Sequence, residues 1–127
     1  MTEDDWEQRK KCAELKKYQG WTNYETWAVG LWIDNEYPVY SEVERMATEK
    51  AKTAKDDKNV KEGIWTECEA ARFNLADQIK DMVEENNPLA EKADLYSDIL
   101  RANLSEVNWH EIAESHLEGK IVCKKKE

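Results

Sequence analysis

Glycine and proline are scarce in this chain, four and two among 127 residues. A sandwich or barrel needs a tight turn at the end of every short strand, so that scarcity argues against both and favours long helices. No apolar run approaches the length of about eighteen residues that would suggest a membrane span. The N-terminus is acidic rather than basic and apolar, so no secretory leader is expected. The ending Cys123-Lys124-Lys125-Lys126-Glu127 is not a prenylation signal. A cytoplasmic place and no membrane partner are the expectation. The three cysteines, Cys12, Cys68 and Cys123, are odd in number and far apart. They have neither metal-ligand nor redox spacing, and no disulfide framework is expected.

Charge and tryptophan are what the chain does have. Charged residues make up 37%, with 28 acidic against 19 basic, a net of −9. The last eight residues carry four lysines and one glutamate, net +3, so residues 1–119 carry −12. A body that negative repels phosphate backbones, which disfavours direct nucleic-acid binding and suits a basic protein surface as partner. Hydrophobic residues are only 40%, but six tryptophans raise the area each buried position can remove from water.

Three of those tryptophans fall in Gly20–Glu36, around Trp21-Thr22-Asn23-Tyr24-Glu25-Thr26-Trp27 and Gly30-Leu31-Trp32-Ile33. Asn23 is a plausible N-cap for a helix from Tyr24 to about Glu36, stopped before Pro38. Tyr24, Trp27, Ala28 and Leu31 form one stripe at 100° per residue, and Val29, Trp32 and Ile33 carry apolar surface round most of the circumference. A helix apolar nearly all round is expected at the centre of the fold. Ser41-Glu42-Val43-Glu44 reads as a capping box, starting a helix to about Ala54 with Val43, Met46, Ala47, Ala51 and Ala54 inward. Residues 55–59 read as a loop. Val60, Ile64, Cys68, Ala71, Leu75, Ile79 and Met82 then share one face of a long helix from Val60 to about Glu85, ended by Asn86-Asn87-Pro88.

Asn87 with Pro88 behind it can cap the next helix, along which Leu89, Ala93, Tyr96, Ile99 and Leu100 keep the helical period. The last helix has Asn108 as cap, Glu111 three residues on and a Val107–Ile112 staple. Trp109, Ile112, Ala113, His116 and Leu117 line one side of it, and Gly119 stops it. The expectation is an all-α single domain, a bundle of about five helices with a central aromatic-rich helix. Residues 1–19 form a charged arm or short helix, residues 20–119 the helical domain and residues 120–127 a lysine-rich tail.

Catalytic chemistry is hard to find in these residues. Of the two histidines, His116 falls on an apolar stripe, where a packed core histidine is the simplest reading, and His110 sits outward in the same helix. Their spacing is not the i, i+4 pair of a zinc protease. There is no Glu-x-x-His for a di-iron bundle, no glycine-centred calcium loop at Asp56-Asp57-Lys58-Asn59 and no phosphate-cradling glycine loop. No carboxylate pair stands out for acid–base work, so no catalytic residue, metal or cofactor is assigned. Tyr24, Trp27, Leu31, Trp109, Ile112 and His116 are read as structural core. Asn23, Glu25 and Thr26 are read as cap, dipole-favoured acid and filler at a helix start. Trp6 and Trp21, outside the well-patterned helices, are the candidate partner anchors, and Trp32 and Trp65 lie toward the edges of their stripes. Asp77, Asp81, Glu84 and Glu85 are spaced to share one flank of the long helix, the specific place where a negative surface would imitate nucleic acid.

Trp21–Glu36, together with Leu95-Tyr96-Ser97-Asp98-Ile99-Leu100 and Leu104-Ser105-Glu106-Val107-Asn108-Trp109-His110-Glu111-Ile112-Ala113, resembles a family of small uncharacterised proteins from phages, plasmids and microbial genomes. The resemblance leaves out residues 1–18 and 41–85 and the lysine tail, and it brings no catalytic residue or cofactor. It implies a mobile-element setting, in which small acidic proteins often block restriction or CRISPR effectors by filling a basic channel. The function expected from charge and resemblance together is a non-enzymatic acidic inhibitor of a nucleic-acid-handling defence protein. The rivals are an accessory helical module acting as a homo-oligomer, and a carboxylate- or metal-based hydrolase.

Overall fold

The computed structural model describes residues 18–121. Most of the expected N-terminal arm, including the candidate anchor Trp6, and the tail beyond Ile121 lie outside them. Among the described residues there is no strand, and the fold is all-α. Helix α1 runs over Tyr24–Asn35, α2 over Tyr37–Thr53, α3 over Lys58–Lys61, α4 over Glu67–Glu85, α5 over Leu95–Ser105 and α6 over Trp109–Leu117, with a 3-10 turn at Ala54–Asp56. No helix among the described residues is long and apolar enough to cross a membrane.

Local chemistry accounts for most of these boundaries, including three that differ from expectation. Asn23 caps α1, its side chain accepting from the Thr26 amide. Pro38 lies in the first turn of α2 rather than beyond a gap, because there its missing amide had no helical acceptor to lose. The helix therefore begins at Tyr37, and Ser41 lies inside it instead of capping it. The continuous helix expected from Val60 is broken. Asp57 caps the short α3, Gly63 takes φ +77°, and Thr66 with Glu69 forms the reciprocal capping box that opens α4. Two satisfied amide donors at Thr66 and Glu69 outweigh the gain of extending an apolar stripe through Ile64, which stays exposed. Asn87 does not start a helix. Asp94, paired reciprocally with Ser97, does so seven residues later. In α6, Asn108 accepts from the Glu111 amide and Gly119 turns the chain at φ +79°.

The core lies where α4 packs against α6 and α2. Val43, Leu75, Ile79 and Ile112 are fully buried there, and Ala47, Ala70, Ala71, Ala76 and Ala113 let the backbones come close. Trp109, Ile112, Ala113, His116 and Leu117 are all buried.

The aromatic helix is not the centre, which corrects the expectation for α1. Its buried residues are Thr26, Gly30 and Ile33. Tyr24 is 55% exposed and Leu31 42%, so both leave the predicted core, while Trp27 is half-buried. The reason is steric. α2, α4 and α6 fill the centre, so α1 can present only one side to them, and its smallest residues permit the closest approach. Trp21 covers that approach: a Cβ on Gly30 would stand 3.2 Å from the Trp21 ring. α5 departs in the same direction, with Leu95, Tyr96 and Ile99 exposed and only Ser97 buried. No disulfide framework is expected from the cysteine spacing, but Cys68 is disulfide-bonded.

Candidate functional site

Two networks of polar side chains fix α1 on the body. In the first, the helix caps interlock. Asn23 Oδ1 accepts from the Thr26 amide at 2.9 Å and from the Thr26 hydroxyl at 2.6 Å. The same hydroxyl accepts from the Asn108 amide at 2.8 Å, joining the cap of α1 to the cap of α6. Asn23 Nδ2 donates to the Glu106 carbonyl at 2.7 Å, and the Thr22 amide and hydroxyl both donate to the Glu111 carboxylate. Thr26 is fully buried and acts as the keystone of this network, not as filler.

The second network lies at the other end of α1. His116 is 5% exposed, with Nδ1 2.8 Å from Glu44 Oε1 and Nε2 3.2 Å from Asp34 Oδ1. Lys120 bonds to Glu44 and donates to the His116 carbonyl at 2.9 Å. Burial pushes the Glu44 carboxyl up, but hydrogen bonds from Lys120 and His116 outweigh it and hold the group below the usual glutamate value. The imidazole thus clamps α1, α2 and α6 together. His110, by contrast, is exposed and stands edge-on to Phe73, which also packs against the half-buried Trp65. Among the described residues no three His, Cys, Asp or Glu side chains converge on a metal-sized site.

On the frame these networks hold lie two surface features. Asp77, Asp81, Glu84 and Glu85 are all exposed on α4 and fall within an arc of about 100°. None of the four makes an ion pair with another described residue. Other acids do: Glu42 and Glu49 with Arg45, Asp98 with Arg101, and Glu114 with Arg72.

Beside this flank is an apolar groove of about 430 Å3. Val29, Trp32 and Ile33 of α1, Val39 of α2, and Met82 and Val83 of α4 line it, with Glu36 and Asn86 as its polar members. Trp32 is 68% exposed. Trp21 is half-buried against the core and over Gly30, so of the tryptophans in the aromatic segment Trp32 is the one open to a partner. Sequence periodicity places Trp32 only at a stripe edge. It contains no signal that α1, α2 and α4 would meet there, because the groove draws on residues far apart in the chain.

The model of a family of unknown function (DUF7249) matches residues 14–119, and the chain belongs to that family. The match runs through residues 41–85 as well as the two aromatic blocks. No curated protein and no solved structure matches the chain.

Proposed function

We propose that this is a non-enzymatic binding protein whose acidic surface occupies the basic, nucleic-acid-facing surface of another protein. The partner class that fits is a nuclease or effector of restriction or CRISPR type. The observation that carries the reading is the α4 flank, four exposed carboxylates without an ion-pair partner among the described residues, on a chain whose first 119 residues sum to −12. Asp77, Asp81 and Glu85 repeat every four residues, a rise of about 6 Å each, and so form a row of negative charge along the helix. Such a row steers a cationic groove toward itself and competes with the nucleic acid that groove normally holds.

The test is capture from a lysate of the natural host on the immobilised chain. A nucleic-acid-handling protein should be retained, released by duplex DNA or RNA, and lost with Asp77→Asn/Asp81→Asn/Glu84→Gln/Glu85→Gln. Retention indifferent to both nucleic acid and neutralisation overturns the reading. The open apolar face of α5, with Leu95, Tyr96 and Ile99, favours a second reading as a homo-oligomeric module. Light scattering across a concentration series tests it, because a strict monomer removes it.

A further inference from the structure

We propose that the groove bounded by α1, the start of α2 and the end of α4 receives the apolar stripe of a cationic amphipathic helix on the partner protein. The inference rests on the acidic-binding reading and adds where, and by what chemistry, the partner is anchored. Val29, Val39, Met82 and Val83, all half-buried, form one continuous apolar groove floored by buried Ile33 and edged by exposed Trp32. Scattered exposed apolar residues are ordinary, but a contiguous concave one with a projecting tryptophan is the usual form of a partner seat.

Charge selects the occupant. Among the described residues the lining contains no lysine or arginine, and its one ionisable member is Glu36. Glu25 continues the α1 ridge of Ala28 and Trp32 at i, i+3, i+7, and exposed Glu85 lies about 60° round α4 from Met82. An incoming helix with apolar residues at i, i+3 and i+4 and lysine or arginine beside them therefore finds anions along the groove's edges. A second copy of this chain is a poor occupant. Two-fold pairing would set the same acids against themselves across the interface. The α4 row then serves encounter, and burial of Trp32 serves residence.

The test titrates the isotopically labelled full chain with a peptide of about four helical turns, carrying a leucine stripe flanked by lysines. A matched peptide has glutamates in place of the lysines. The lysine peptide should shift the Trp32 indole and Met82 methyl signals, the glutamate peptide should not, and Trp32→Ala should weaken the lysine peptide about tenfold. Equal binding of both peptides, or binding unchanged in Trp32→Ala, overturns the inference. So does movement of the Trp32 signal with protein concentration alone, which assigns the groove to a second copy. Movement on deletion of residues 1–17 assigns it to the chain's own N-terminal segment and overturns it likewise. Failure of the broader reading is separable. If the lysine peptide binds as described while captured partners ignore nucleic acid, the groove stands and nucleic-acid mimicry falls. If captured partners respond to nucleic acid and the peptide does not bind, the groove falls alone.

Discussion

Helices α6 and α1 are both rich in aromatic and aliphatic residues, yet they end in opposite surroundings. α6 confines Trp109, Ile112, Ala113, His116 and Leu117 to one stripe and buries all five. α1 spreads Tyr24, Trp27, Val29, Leu31, Trp32 and Ile33 round its circumference, and of these only Ile33 is buried. What decides burial is angular concentration rather than the amount of apolar surface. A stripe docks as a unit, whereas a helix apolar all round gives one side to the body and leaves the others for water or a partner. α1 is held instead by its polar ends: Thr22, Asn23 and Thr26 at one, Asp34 at the other.

That contrast breaks most readily at the α6 seam. Ile112 is fully buried against α4, so Ile112→Ala removes packed methyl groups and leaves a cavity, with an expected loss of about 2–5 kcal/mol. Urea denaturation measures it. A loss well under 1 kcal/mol would mean that the seam is less closed than its burial indicates.

Next in size is the tie that substitutes for apolar docking on α1. Thr26→Val keeps the shape but removes the acceptor for the Asn108 amide, a cost of about 1–3 kcal/mol. Thr26→Ser keeps the hydroxyl and gives up one methyl, about 0.8 kcal/mol. Thermal melts should therefore rank wild type above Ser above Val. Val equal to wild type would remove the interlocked caps as the attachment of α1.

The other attachment is sensitive to acid. The Glu44 carboxyl is held below its ordinary value in the folded state. Its contribution is therefore fully present above that ordinary value and is lost as pH falls through the lowered one. Because Glu44 is partly exposed, the effect should be smaller than that of Thr26→Val. Glu44→Gln should flatten the acid limb of the stability curve, and an unchanged acid slope in the variant would assign it to other carboxylates.

Which parts of this were legible beforehand follows the same division. Asn23, the Asn108–Glu111 cap and Gly119 mark helix ends through bonds spanning a few residues, and the stripes of Val43, Met46 and Ala47 and of α6 repeat locally. The acidic flank was equally visible because its four members share one helix. Thr66–Glu69 was hidden inside a periodic apolar run that suited a longer helix. Pro38 reads as a stop in the sequence, whereas its first-turn position makes it a start. The Thr26–Asn108 and His116–Glu44 contacts join residues 82 and 72 apart, a separation at which periodicity carries no information. The groove depends on those contacts, so the sequence pattern takes Trp32 no further than a stripe edge and offers Trp6 and Trp21 as the anchors.

The sharpest separation of the two helices is expected from the smallest stability change. Trp109 and Trp32 are the same side chain on helices of similar composition, one buried in the seam and the other 68% exposed. Trp32→Ala removes a residue with little packing to lose and replaces it with a better helix former, so stability should stay within about 0.5 kcal/mol of wild type. Trp109→Ala should cost about 3–5 kcal/mol, as a buried tryptophan does. Comparing the two variants in one denaturation series tests whether the aromatic surface of α1 contributes to folding at all. If Trp32→Ala destabilises as strongly as Trp109→Ala, then Trp32 is packed in solution, the groove is closed, and neither a partner helix nor any other occupant can be seated there. If it is neutral, the exposed ring has no folding role, and its position over an acid-edged groove is left to be explained by binding.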